Sequence, residues 1–162
     1  MPDPAAAAAA AQAWFADLPR PRSALPPWLE HCGSLAARLL AAERPAIPLH
    51  GDLHHDNVLA FEGRGWLAID PKGLPGERAF DYTPLFLTPD LCGPGIHAAA
   101  RPERFHARLH PACMRAGLGH DHLLRWIAAS AGLSAAWPRA DRRATDINQA
   151  VAGMALAAVD GG

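Results

Sequence analysis

Between Ala46 and Ile69 the apolar residues arrive in short runs, Ile47–Leu49, Val58–Phe61 and Trp66–Ile69, separated by polar and glycine-bearing segments. Runs that brief, bounded by turn residues, fit strands and are too short for stable helices. Glu62-Gly63-Arg64-Gly65 is the expected turn joining the second and third runs into a hairpin. On either side the spacing changes to the helical period. Leu29, Leu35, Leu39 and Leu40 predict a helix over Trp28–Ala42, and Ile147, Val151, Met154 and Ala158 predict one over Arg139–Val159. Further helices are expected over Tyr82–Leu87, Pro102–Ala116 and Asp121–Ala131. At the start, Asp3-Pro4 opens an alanine-rich helix to about Leu18, with Trp14, Phe15 and Leu18 on one side, and Pro19, Pro21, Pro26 and Pro27 then break it. The fold class that follows is α+β, mainly helical, with one small hairpin set among helices.

A length of 162 residues fits a single domain, read as connector helices (1–45), a loop and hairpin segment (46–81) and a helical segment (82–162). Fifteen basic and sixteen acidic residues leave a net charge of -1, with no positive arm to neutralise a run of phosphates, which argues against nucleic acid. No apolar stretch approaches the roughly 20 residues of a membrane span. Cys32, Cys92 and Cys113 suit neither a disulfide framework nor a metal knuckle, so a reducing cytoplasm is expected. Of the fifteen basic residues fourteen are arginine, so any step needing a lysine must use Lys72.

Polar residues are densest in His50-Gly51-Asp52-Leu53-His54-His55-Asp56-Asn57, followed after the hairpin by Asp70-Pro71-Lys72-Gly73. Pairing Phe61 with Trp66 across a four-residue turn puts Asn57 opposite Asp70, at about 4.5–5.5 Å between Cα atoms. An amide oxygen and a carboxylate there suit magnesium, which completes its shell from water and substrate phosphates. Asp52 leans over the same mouth, placed to orient an attacking hydroxyl and accept its proton. Gly51 and Gly73 relieve the backbone where side chains would crowd the two loops.

His50 to Asn57 together with Asp70 to Asp81 resembles the catalytic core of the aminoglycoside and hydroxyurea antibiotic-resistance kinases, especially the streptomycin 6-phosphotransferase branch. That resemblance implies ATP and Mg2+ as cofactors, Asp52 as catalytic base, Asn57 and Asp70 as metal ligands, and His50 and Asp81 as the framework bracing the loops. It implies transfer of the γ-phosphoryl group to a hydroxyl on a small molecule. It covers about Trp14 to Ala155, corresponding to the C-terminal, mainly helical lobe of a protein-kinase-like fold. Nothing before Ala46 resembles the N-terminal nucleotide lobe, and the single lysine leaves none for its phosphate contact.

A streptomycin-like acceptor is cationic and asks for further carboxylates, for which Asp56, Glu77 and Asp90 stand nearby in sequence, whereas a hydroxyurea-like acceptor is neutral. One of His54 and His55 is expected to face the acceptor cleft and the other to pack within the loop. As a bland alternative, Asp81 is the N-cap of a short helix. The rival readings are a His/Asp metallohydrolase, disfavoured because aspartate stands where the HxHxDH pattern needs its second histidine, and an inactive remnant or partner-dependent lobe. The last predicts an uncovered apolar face near Trp14, Phe15 and Trp28, giving self-association or docking of a separate lobe.

Overall fold

The computed structural model describes residues 25–42, 44–88, 98–136 and 142–161. The expected helix over Asp3–Leu18, with Trp14 and Phe15, lies outside these residues, as do Asp90, Cys92 and the Arg139 end of the last helix. Pro27 has no N–H to leave unsatisfied and begins helix α1, Pro27–Ala41, which buries Cys32, Leu35, Ala36 and Leu39 on one face. Strand β1, Ile47–Leu49, leads into the polar loop and a 3₁₀ turn over His55–Asn57. The hairpin follows, β2 over Val58–Phe61 and β3 over Gly65–Ala68.

The hairpin register is one residue from the sequence expectation. Phe61 pairs with Gly65 rather than Trp66, and Val58 with Ala68. The turn is three residues, closed by Arg64 N–H donating to Phe61 O at 3.1 Å. Gly63 and Gly65 both adopt φ of 74°, which lets Gly65 enter the ladder instead of the turn. Asn57 therefore lies against Ile69, whose N–H donates to its carbonyl at 2.9 Å, and Asp70 falls one residue beyond.

Strand β4, Leu74–Gly76, was not expected, because a Leu-Pro-Gly run reads as a turn. It pairs antiparallel with β1, placing Pro48 opposite Pro75. Neither proline has an N–H, so theirs is the pair that exchanges no hydrogen bonds. Helices α2, Arg78–Tyr82, and α3, Pro84–Leu87, replace the single helix expected over Tyr82–Leu87. Pro84 has no N–H to continue the first run, and buried Thr83 turns its hydroxyl back to Phe80 O at 2.8 Å.

Helix α4 spans Pro102–Ala116, as predicted, and ends on Gly117 in the left-handed region. Helix α5, His120–Ala136, is the centre of the core, buried along one unbroken stretch from Trp126 to Leu133 and packed on α1 and on α6, Arg142–Asp160. The chain is thus α+β and mainly helical, with two small antiparallel sheets. Among the described residues no helix is long and apolar enough to cross a membrane.

Trp28 is half-buried against the main core. The exposed large apolar side chains lie instead mostly on the hairpin: Leu59, Phe61, Leu67 and above all Trp66, 75% exposed.

Candidate active site

Three of the expected site residues, His50, Asp52 and Asp81, are joined through His50. Its backbone N–H donates to Asp81 Oδ2 at 2.8 Å, and the N–H of Gly51 donates to Asp81 Oδ1 at 2.7 Å. A carboxylate accepting two successive N–H groups fixes the peptide plane between them. The His50 ring donates from Nε2 to Ile69 O at 2.7 Å, since a carbonyl only accepts. Its Nδ1 is then the acceptor for Asp52 N–H at 3.3 Å. Finally His50 O accepts Lys72 N–H at 2.7 Å. One residue thereby ties the loop carrying Asp52 to the segment carrying Asp70.

Asp81 is consequently not an N-cap. It lies within α2, whose N-cap position is Glu77, and its carboxylate is spent on the loop. Gly51 is buried with φ of 81°, and a Cβ there would stand 3.0 Å from Leu74 Cδ1 and 3.2 Å from Lys72 Cβ. Any side chain would push the loop off the Asp70 segment.

The side chain of Asp52 is 41% exposed, with Oδ1 3.7 Å from His54 Nε2 and Oδ2 3.7 Å from Lys72 Nζ. Its carbonyl accepts Asn57 Nδ2 at 2.9 Å, and the same amide nitrogen lies 3.2 Å from His54 Nε2. With its NH2 so committed, Asn57 presents Oδ1, which accepts no hydrogen bond among the described residues. Asp70 has φ of 56°, the one non-glycine residue in the left-handed region among those described. Aspartate tolerates that conformation better than most residues, and such backbone is held only where its surroundings enforce it. Here Ile69 is pinned through both its N–H and its carbonyl.

Lys72 Nζ donates to Asp70 Oδ2 at 2.8 Å. This hydrogen bond holds the Asp70 carboxyl below its ordinary value and the Lys72 ammonium above its own. An amide oxygen and an exposed carboxylate already carrying a cationic partner form a hard-oxygen donor set that fits a magnesium ion. They are adjacent through Ile69 and not directly opposite, because of the register.

The other expected residues divide. His54 is half-buried between Asp52 and Asp56, whereas His55 and Asp56 are exposed, with His55 Nε2 3.2 Å from Asp56 Oδ1. His54, His55 and Asp56 could jointly reach one ion, but all three come from one turn and leave out Asp52, Asn57 and Asp70. Glu77 does not face the mouth. Its side chain is 13% exposed, paired with His122 and accepting from Trp126 Nε1 at 2.9 Å, so both oxygens serve α5. Sequence proximity suggested an acceptor ligand; burial against α5 makes it an internal one. His120 stacks on His110, so His120 and His122 face different partners.

Beside His55 lies a cavity of about 140 Å³ lined also by Leu85, Thr88, Arg104 and Arg108. Arg108 donates to the carbonyls of Leu85 and Thr88, and burial holds its guanidinium below its ordinary value. A basic lining suits no cationic group, which leaves Asp56 as the described candidate for one. Sequence reasoning missed the bridging position of Lys72 and the Glu77–His122–Trp126 cluster. For the first, the signal available was that the chain has one lysine.

A profile of the family described as aminoglycoside/hydroxyurea antibiotic resistance kinase matches residues 4–142. The chain is 53% identical over 129 residues to a streptomycin 3''-kinase of Klebsiella pneumoniae, covering 78% of this chain and 47% of that protein. It is 44% identical over 66 residues to a streptomycin 6-kinase of Streptomyces griseus, covering 41% and 20% of the two chains. To a hydroxyurea phosphotransferase of Kitasatospora aureofaciens it is 48% identical over 56 residues, 35% and 16%. The chain thus spans about half the length, or less, of these relatives. No solved structure matches it.

Proposed function

The chain belongs to the aminoglycoside/hydroxyurea antibiotic resistance kinase family, and we propose that it carries the catalytic and metal-binding half of a phosphotransferase moving the γ-phosphoryl group of ATP to a hydroxyl of an aminoglycoside, streptomycin foremost. The observation that carries this reading is the tie made by His50, which holds the Asp52 loop and the Asp70 segment at one hairpin mouth.

In this reading Asp52 accepts a hydrogen bond from the acceptor hydroxyl, aims its oxygen at the γ-phosphorus and takes its proton as the new P–O bond forms. The bond from that phosphorus to the β,γ-bridging oxygen breaks, and ADP leaves with the electron pair. Asn57 Oδ1 and Asp70 hold Mg2+, which when bound spreads the charge of the phosphate oxygens. His50 and Asp81 keep the two loops in register so that Asp52 need not reorganise during transfer. Asp56, exposed beside His54 and His55, offers a carboxylate to a guanidinium-bearing acceptor.

This reading takes the described residues as the helical lobe of a kinase-like fold. A second reading, in which a separate chain supplies the nucleotide half, is favoured by the exposed apolar hairpin. Incubation of the chain, fused to the nucleotide-binding half of a streptomycin kinase, with ATP, Mg2+ and streptomycin, read by mass spectrometry, tests the first. Phosphorylated streptomycin is expected, and Asp52→Asn should remove it with the melting temperature unchanged. Full product formation by that variant would refute the role given to Asp52.

A further inference from the structure

Among the described residues Lys72 is the one cation placed between the two carboxylates of the mouth. Its Nζ lies 2.8 Å from Asp70 Oδ2 and 3.7 Å from Asp52 Oδ2. Its backbone is fixed, because the N–H donates to His50 O at 2.7 Å and the chain passes close to Gly51. The ammonium, 39% exposed on a four-carbon stem, is free to swing where the backbone is not.

We propose that Lys72 is a placeholder cation for Asp70, displaced when a divalent ion binds there and then applied to the phosphate chain whose terminal group is transferred. The inference rests on the metal reading given above for Asn57 and Asp70. The reasoning is one of charge. Two carboxylates at an open mouth repel each other, and Lys72 offsets that repulsion while no ion is bound. A solvent-exposed ion pair is weak, so a divalent ion coordinated by Asp70 displaces it readily. The released ammonium stays leashed beside Asp52, where the acceptor oxygen and the phosphorus meet, and no other lysine in the chain can replace it there. Ammonium-to-phosphate hydrogen bonds are among the stronger ones, because both partners are charged.

Two opposite effects of one substitution follow, and neither needs turnover. Mn2+ titrated into the chain and followed by electron paramagnetic resonance should bind Lys72→Met about two- to fivefold more tightly than the unsubstituted chain, as expected for loss of an exposed competitor. Tripolyphosphate titrated calorimetrically into the Mn2+-saturated chain should bind the same variant about threefold to tenfold more weakly, for loss of one charged hydrogen bond at an exposed site. Lys72→Arg, which keeps the charge, should resemble the parent in the first titration. Equal or weaker Mn2+ binding by Lys72→Met would overturn the proposal, and so would unchanged tripolyphosphate binding. Unfolding of Lys72→Met would also overturn it, by making Lys72 structural, and Lys72→Gln repeats both titrations with a side chain closer in length. Asp70→Asn separates the two levels. If it leaves Mn2+ affinity unchanged, the metal reading fails; if it abolishes Mn2+ binding while Lys72→Met has no effect, only the role of Lys72 fails.

Discussion

Replacing Asp81 by asparagine changes one atom type and leaves the side-chain shape intact, which makes it a sharp probe of the loop. In the structure both carboxylate oxygens accept backbone N–H groups, from His50 at 2.8 Å and Gly51 at 2.7 Å, in a part-buried setting. Hydrogen bonds to a charged group contribute roughly 1.5–3 kcal/mol each, and neutral ones about 1. Asparagine keeps one neutral acceptor and turns its NH2 toward the other N–H, donor against donor. The loss is therefore one charged bond plus the weakening of the second, about 2–4 kcal/mol before relaxation. Because the segment is only part-buried and water can enter, about 2–3 kcal/mol is expected. Urea denaturation followed by tryptophan fluorescence measures it, as a lower midpoint at unchanged m-value. On the metal reading proposed above, Mn2+ affinity should fall as well, since His50 is hydrogen-bonded both to the Asp52 loop and to Ile69. A variant within about 0.5 kcal/mol of the parent, the range of ordinary surface substitutions, would refute the argument that Asp81 holds this loop.

At Gly132 an added Cβ would stand 2.4 Å from Cys32 Cβ, between α1 and α5, so Gly132→Ala should destabilise the chain by about 1–3 kcal/mol, whereas Gly153→Ala, with nothing within 4 Å, should stabilise it by up to about 1 kcal/mol. Paired thermal melts check the opposite signs. Glu77→Ala strips Trp126 Nε1 and His122 of their acceptor and should cost about 2–3 kcal/mol in urea, leaving the acceptor KM of a competent enzyme unchanged. Burial pushes the Cys32 thiol up to about 11 from 9.0. Because the folded value is the higher, the protonated thiol's contribution is intact below pH 9 and lost as pH rises through 11. Stability should then fall by on the order of 2 kcal/mol over that window, and less in Cys32→Ala, as read by urea midpoints across pH.

Helices whose apolar face is set by local spacing were legible. The bounds of α4 follow from Pro102 and from Gly117 beyond Ala116, and the α1 bounds differ by one residue from those expected. Strand β4 was not legible, because its pairing with β1 joins residues some 27 positions apart and its proline is tolerated only through the register it happens to take. The hairpin register turned on the backbone freedom of Gly63 and Gly65, which lets a ladder begin one residue earlier than a glycine is usually counted. At the site, Asp52, Asn57 and Asp70 stood out because polar side chains concentrated in a loop between apolar strands have no packing reason to be there. The destination of Glu77 was hidden, since Trp126 and His122 lie more than forty residues away and nothing in its own segment announces them.

Every described side chain of β2 and β3 is exposed except that of half-buried Val58, so among the described residues no layer backs this two-stranded ribbon. Such ribbons are marginal alone. Asn57 precedes one strand and Asp70 follows the other, so torsion of the ribbon becomes variation in the spacing of the two oxygen donors. Magnesium accepts little departure from octahedral geometry, while larger cations tolerate much more. On the metal reading proposed above, the discrimination of this mouth between ions is governed by how stiffly the ribbon is held. A body resting on Leu59, Phe61, Trp66 and Leu67 would tune ion preference from the far side of the hairpin, without touching either ligand.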